Sequence, residues 1–471
     1  MEGYRKRDFG GNSRVKGLKG RNNMEKVRSS FGLRLIAAAA LSLALAGCSS
    51  MPSWLGGSDK PKAEGERLSV LAHDTALTAE AGADEIKIVI PAAVYTLSWE
   101  QAGGNSKHLM EHLVLEDEPK LLWEVNIGEG ASDENYILAE PIIAEKKVFA
   151  IDAEGELSAF DLDTGKEIWN RALLAGDDNE TLGGAGLAYA DEKVFTTTGS
   201  GHLYALSADT GEILWQKNLL SPLRSAPTIY EGKLFLVSLD NHITAFDMVT
   251  GEKVWDYDAV AESTTFLGSP SPAAEGKVVV AAFSSGEIFA FKADNGVPVF
   301  SDALVPVRQQ SFITGLSAIK GRVVLTDEMM FASSGGDLTA AISVKTGERA
   351  WEKDFGSTSQ PWIAGDYLFT IANTGEAMAI EQATGKILWL TPLPLWEDAE
   401  DKEGRIIRYG PVLAGERLLI TGSDGSLVGL NPVNGDIVSS VKLAEAFSIP
   451  PVVADATLVL LDDDGNLRAF R

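Results

Sequence analysis

The chain has 471 residues, with 41 Lys and Arg against 67 Asp and Glu, a formal net charge of −26. A body this acidic is repelled by nucleic acid and by anionic bilayer surfaces, so neither is expected as its main partner. A single cysteine in the whole sequence excludes an intramolecular disulfide.

Charge is unevenly spread. Residues 1–47 hold ten Lys and Arg and three Asp and Glu, a local +7 that leaves −33 for 48–471. Met24 offers a second possible start. After it come Lys26, Arg28 and Arg34, the apolar run from Leu35 to Leu45, and then Ala46-Gly47-Cys48. A basic stretch, an apolar core of about 11 residues and a small-residue cleavage site make residues 1–47 a secretory signal, too short to span a bilayer. Leu45-Ala46-Gly47-Cys48 resembles the bacterial lipobox, which implies cleavage before Cys48 and lipid attachment to its sulfur. In that pattern Ser49 favours sorting to the outer membrane.

Residues 48–83 are rich in Ser, Gly, Pro, Lys, Glu and Ala without an apolar period, so they read as a flexible tether spanning roughly 30 Å. Residues 84–119 become ordered again, as an extension packed on the repeat region that begins at 120. His108 and His112 are four apart, a metal-like spacing if they share a helix face. Without a third ligand cluster nearby, they read as a packed or solvent-facing pair.

From 120 onward the chain repeats. Gly155–Trp169 recurs, in order, at 201–215, 241–255, 286–300, 336–351, 375–389 and 425–439, and a truncated copy runs 465–471. Starts 39 to 50 residues apart mark a repeat architecture. Within each copy an alternating apolar strand carries alanine at its fourth position, as in Ala159, Ala205, Ala340 and Ala469. A Thr-Gly or Asn-Gly turn follows, then a short strand ending in Trp. A second hairpin precedes each copy, so each period holds four short strands, the pattern of a β-propeller blade. The last copy stops after its third strand, and an orphan strand at 120–127 carries Trp123 where the motif Trp belongs. Pairing the two ends closes an all-β ring of eight four-stranded antiparallel blades over 120–471 and removes two exposed edges. Loop length varies in the connections from the fourth strand of one blade to the first of the next, which is where binding is expected. Asp462-Asp463-Asp464-Gly465 looks like half of a calcium loop but falls where a hairpin turn is due, and it lacks the distal Glu.

Ala159-Phe-Asp-Leu-Asp-Thr-Gly-Lys-Glu-Ile-Trp169 resembles the tryptophan-docking repeat of the pyrroloquinoline quinone propellers, and Trp99–Asn105 resembles the segment that precedes them. Two families share the repeat: quinoprotein dehydrogenases and the outer-membrane protein assembly factor BamB. The resemblance implies that Trp123, Trp169, Trp215, Trp255, Trp351 and Trp389 are structural, stacking where blades meet. The dehydrogenases typically carry an adjacent cysteine pair against the quinone, which the propeller here lacks. With the lipobox, this favours the BamB family. That implies a non-enzymatic scaffold without a cofactor or metal, lipid-anchored at the outer membrane and facing the periplasm. Its implied partners are the periplasmic domains of BamA, other Bam members and unfolded outer-membrane proteins. The family's partner-binding Leu-Arg pair maps to Leu223-Arg224, just before Ser225-Ala226-Pro227. An exposed Leu would supply apolar area and the guanidinium would pair with carboxylates or carbonyls. No acidic pair aligns in the next connection, where Asp256, Asp258 and Glu262 are the nearest substitutes.

Overall fold

A computed structural model describes residues 77–83, 86–173, 184–219, 221–223, 225–260, 270–305 and 318–471. The signal, Cys48, nearly all of the tether, Arg224 and Glu262 lie outside them. Among the described residues there are eight four-stranded antiparallel sheets and one two-stranded hairpin. In blade 1 the strands are Ile142–Ala144, Lys147–Ile151, Glu156–Asp161 and Glu167–Ala172, here called A to D. Blades 2 to 7 repeat that order over 184–218, 228–258, 273–303, 324–353, 362–392 and 408–442. Blade 8 takes its A to C strands from 452–470 and its D strand from Leu121–Asn126. Lys120 and Arg471 exchange backbone hydrogen bonds of 2.9 Å, so the two ends of the repeat region close the ring as expected.

The register explains the motif. Ala159 faces Trp169 across the C–D pair, and Ala205 faces Trp215, Ala245 Trp255, Ala379 Trp389 and Ala469 Trp123. In blade 5 the partner of Trp351 is Ala341. The copy there is one residue longer, which moves the small position on from Ala340. A small side chain on strand C leaves room for the indole beside it. The register then slips by one residue, as between Ala159 and Phe160, a bulge repeated in every blade from 1 to 7.

Each D-strand ring lies over the C–D turn of the following blade. A β-carbon on Gly165 would fall 2.7 Å from the Trp123 ring, and one on Gly211 2.5 Å from that of Trp169. These glycines also hold φ near +69° and +66°, so the turn and the docking make the same demand for a bare backbone. Trp215, Trp255, Phe300, Trp351 and Trp389 cover Gly251, Gly296, Gly347, Gly385 and Gly435 in the same way. The indole Nε1 of Trp123, Trp169, Trp255, Trp351 and Trp389 donates to a carbonyl of that next blade, at 2.7–3.0 Å. Trp215 docks without such a bond.

Residues 77–83, which composition assigned to the tether, sit on the rim of blade 6. Glu80 N donates to Ile387 O at 3.0 Å, and Lys353 holds the Glu80 carboxylate at 2.6 Å. The outer strand Ile387–Pro392 is consequently buried along its first half, unlike the outer strands of the other blades.

Candidate functional site

The ring's centre is crossed by residues 94–113, which bond to all eight blades. Trp99 and Ile143 exchange bonds of 2.7 and 2.9 Å on blade 1, and Tyr189 N of blade 2 donates to Glu100 O at 2.7 Å. The Gln101 amide takes both backbone groups of Ile229 on blade 3. Blades 4 and 5 donate through Ala274 and Leu325 to the carbonyls of Ser106 and Lys107. Trp362 Nε1 of blade 6 donates to Glu111 O at 2.7 Å, and Leu113 bonds both Leu413 and Gly415 of blade 7. Blade 8 donates from Asp455 N to Thr96 O at 2.7 Å. Trp99 also stacks on Trp362 at 6.2 Å, with planes 17° apart.

His108 and His112 belong to this plug, on extended chain and not on a helix. His108 is fully enclosed, with Nδ1 2.7 Å from Val323 O. Burial, helped by the Arg322 charge, lowers its pKa to about 3, so the ring is neutral. His112 meets Pro91 O at 2.7 Å and Gly415 O at 3.2 Å. Both rings therefore bond backbone carbonyls. The Asp462 carboxylate likewise caps its own turn, accepting from Asp464 N and Asn466 N, and it pairs with Arg468 at 2.6 Å.

On the D-to-A side of the plug lies a cavity of about 160 Å³. Its wall is made by the residues that lead into the A strands of all eight blades, and Trp99, Ala102 and Gly103 form its floor. Glu140 is buried there, bonded to Arg322 Nη2 at 2.6 Å and to Gly103 N at 3.1 Å. Arg322 reaches Gln360 Oε1 at 3.2 Å, and Gln360 in turn donates to His108 O. This network ties blades 1, 5 and 6 to the plug.

The Leu-Arg segment runs along the entrance to blade 3. Leu223 pairs with Ser238, Leu239 N donates to Pro222 O at 3.0 Å, and Ser225 Oγ donates to Val237 O at 2.9 Å. Leu223 is 0% exposed and packs with Phe195, Leu236 and Phe246 between blades 2 and 3. The expectation that it offers exposed apolar area is therefore corrected. The sequence held a signal for this. The backbone bond at Pro222 recurs from Asn373 to Gly356, from Gly335 to Ala318, from Ser423 to Ile407 and from Asp463 to Ala446. The residue after each acceptor, namely Ser357, Ile319, Arg408 and Phe447, is buried every time.

Around the same blade 3 edge, three carboxylates gather. His242 bonds Asp258 through Nδ1 and lies 3.5 Å from Asp256 through Nε2, and Ser238 donates to Asp240. Burial pushes the Asp240 carboxyl up. The hydroxyls of Ser238 and Ser221 outweigh this and hold it below its usual range. Asp258 is largely exposed. The acidic substitutes at Asp256 and Asp258 thus share one edge with the Leu223 segment, joined there by Asp240, which sequence alignment of the connections does not reveal.

A family model described as outer membrane protein assembly factor BamB matches residues 114–182, 153–391 and 394–471. The chain is 25% identical over 352 residues to the outer membrane protein assembly factor BamB of Shewanella oneidensis, covering 72% of this chain and 86% of that one. Among solved structures, BamB from Moraxella catarrhalis superposes with a TM-score of 0.63 at 20% identity, covering 75% of this chain and 100% of that one. A quinohemoprotein alcohol dehydrogenase from Comamonas testosteroni reaches the same TM-score at 13% identity, covering 80% and 81%, a likeness of fold alone. The quinone of that fold does not suit the channel here. Its 160 Å³ is well below the roughly 300–1,000 Å³ of small-molecule sites. Among the described residues no three His, Cys, Asp or Glu side chains converge to hold a metal ion beside it.

Proposed function

Because the chain belongs to the family of the outer membrane protein assembly factor BamB, we propose that it is a non-catalytic scaffold of outer-membrane β-barrel assembly. The observation that carries this reading is the extent of the match, which runs from 114 to 471 and so takes in every blade. In this reading the protein is anchored by lipid on Cys48 and faces the periplasm. It binds the periplasmic domains of BamA and, with other Bam members, assists unfolded outer-membrane proteins. Replacing Cys48 by Ala would then shift the protein from the membrane to the soluble periplasmic fraction, and undiminished membrane association would count against the anchor.

The partner surface we favour is the edge of blade 3. Leu223 anchors the segment from inside, Arg224 is the group that meets the partner, and Asp240, Asp256 and Asp258 stand beside it as acceptors for basic side chains. Co-purification with BamA tests the assignment. Arg224→Glu lowers the recovered BamA severalfold while the melting temperature stays put. Leu223→Ala instead costs about 2–5 kcal/mol of stability, because it empties a fully buried site. Full recovery of BamA by Arg224→Glu would move the contact to another part of the ring.

A further inference from the structure

The wall of the central cavity carries charge opposite to that of the molecule. Its charged side chains are Glu140, Lys320, Arg322 and Arg408, three cations and one carboxylate, in a chain of net charge −26. Glu140 and Arg322 satisfy each other at 2.6 Å. That leaves two cations. Arg408 occupies the inward position that holds Leu223, Ile319 and Phe447 in other blades. Its Nη1 reaches Asp424 at 3.0 Å and Ser426 Oγ at 2.6 Å, but its buried Nε has no acceptor. Lys320, half-buried, lies near no carboxylate, and burial alone holds its ammonium below the usual lysine range. Buried charges are ordinarily paired. An unpaired ammonium and an orphaned guanidinium N–H facing one enclosed space are compensated by a negative ligand that enters from solution.

We propose that this cavity binds a small free oxyanion, a short carboxylate or a phosphate, with Lys320 as its counter-charge and Arg408 Nε as a second donor. Its volume of 160 Å³ limits the ligand's size. That is the space of about five waters at ~30 Å³ each, enough for phosphate or a short dicarboxylate and too little for a drug-sized molecule. The site rests on the cavity and its cations and is independent of the scaffold reading.

The test is calorimetric titration of the full chain with succinate and with inorganic phosphate, comparing the parent protein with Lys320→Met and Lys320→Arg. Saturable binding of either anion to the parent is expected, weakened about tenfold or more in Lys320→Met and recovered in Lys320→Arg. Without ligand, Lys320→Met melts no lower than the parent, since it removes an uncompensated charge. A second readout needs no variant: anhydride labelling of Lys320, followed by mass spectrometry, slows when the anion is present. No saturable binding of either anion, equal affinity in Lys320→Met, or labelling that ignores the anion would each overturn the proposal. So would binding confined to pyrroloquinoline quinone.

Discussion

At the seam between blades 1 and 2, the Trp169 ring lies over the bare backbone of Gly211 and donates to Ala208 O at 3.0 Å. At the seam between blades 7 and 8, the same register position holds Ser439, opposite Gly429. The turn that would receive a ring there is no turn at all, because strands C and D of blade 8 come from opposite ends of the repeat region and meet at Arg471 and Lys120. Docking needs a ring on one blade and a glycine turn on the next, and where closure removes one partner the other is missing too. A different device holds that seam. Phe447 is buried in the gap, Asp463 N donates to Ala446 O at 3.1 Å, and Thr421 Oγ1 donates to Ile449 O at 2.7 Å. Seven seams are thus fastened by a side chain on a turn, and the eighth by the connection that crosses it.

The sharpest way to break this contrast is to truncate both positions. Trp169→Ala is expected to cost about 3–5 kcal/mol in urea unfolding, and Ser439→Ala less than about 0.5 kcal/mol. Similar losses at the two sites would mean that the rings do not fasten the seams. A second comparison separates the docking from the turn. Gly211→Val drives a β-carbon to 2.5 Å from the Trp169 ring at a φ of +66°, for an expected loss of about 2–4 kcal/mol. Gly232→Ala has a φ of +74° and nothing within 4 Å, so it isolates the backbone cost at about 1 kcal/mol.

The smallest effect concerns the seam between blades 8 and 1, where docking is reinforced by charge. Asp455 accepts from Tyr95 and Lys146 and lies 3.4 Å from Arg471, which also pairs with Asp163 at 2.7 Å. Burial raises the Asp455 carboxyl. The bonds from Lys146 and Tyr95 and the charges of Lys146 and Arg471 outweigh this and hold it below the usual carboxylate range. A depressed native pKa means that its contribution is complete above the unfolded value, about pH 3.9, and fades as pH falls through the native one. Asp455→Asn should therefore melt below the parent at pH 6, and the gap should narrow below about pH 4. A gap that stays constant down to pH 3 would remove the carboxylate from the clasp.

Blade number, strand order and ring closure are all legible in the sequence, because the motif repeats the same alternation, the same small residue and the same glycine turn. Its repeats even locate the strand around Trp123. The plug is only half legible. Trp99–Asn105 reads as ordered, but its bonds are mostly made by its carbonyls with backbone groups of distant blades, and backbone groups carry no residue signature. The burial of Leu223 escapes a reading of its own connection, which shows nothing of its depth, although the five aligned positions from Leu223 to Phe447 do. Lys320 and Arg408 are invisible for a related reason: residues 88 positions apart converge only once the ring is closed.

The plug also has a consequence for the order of events in folding. Asn126 donates to the carbonyl of Asp464 across a separation of 338 residues. Closing a span that long adds little entropy beyond that of a shorter loop, but it ranks among the slowest contacts to form. Residues 94–113 emerge before any blade, yet their partners are spread from Ile143 to Asp455. They can settle only after the last blade exists. A segment synthesised ahead of every blade is thus the last to become ordered, and its docking registers that the far end of the chain has arrived.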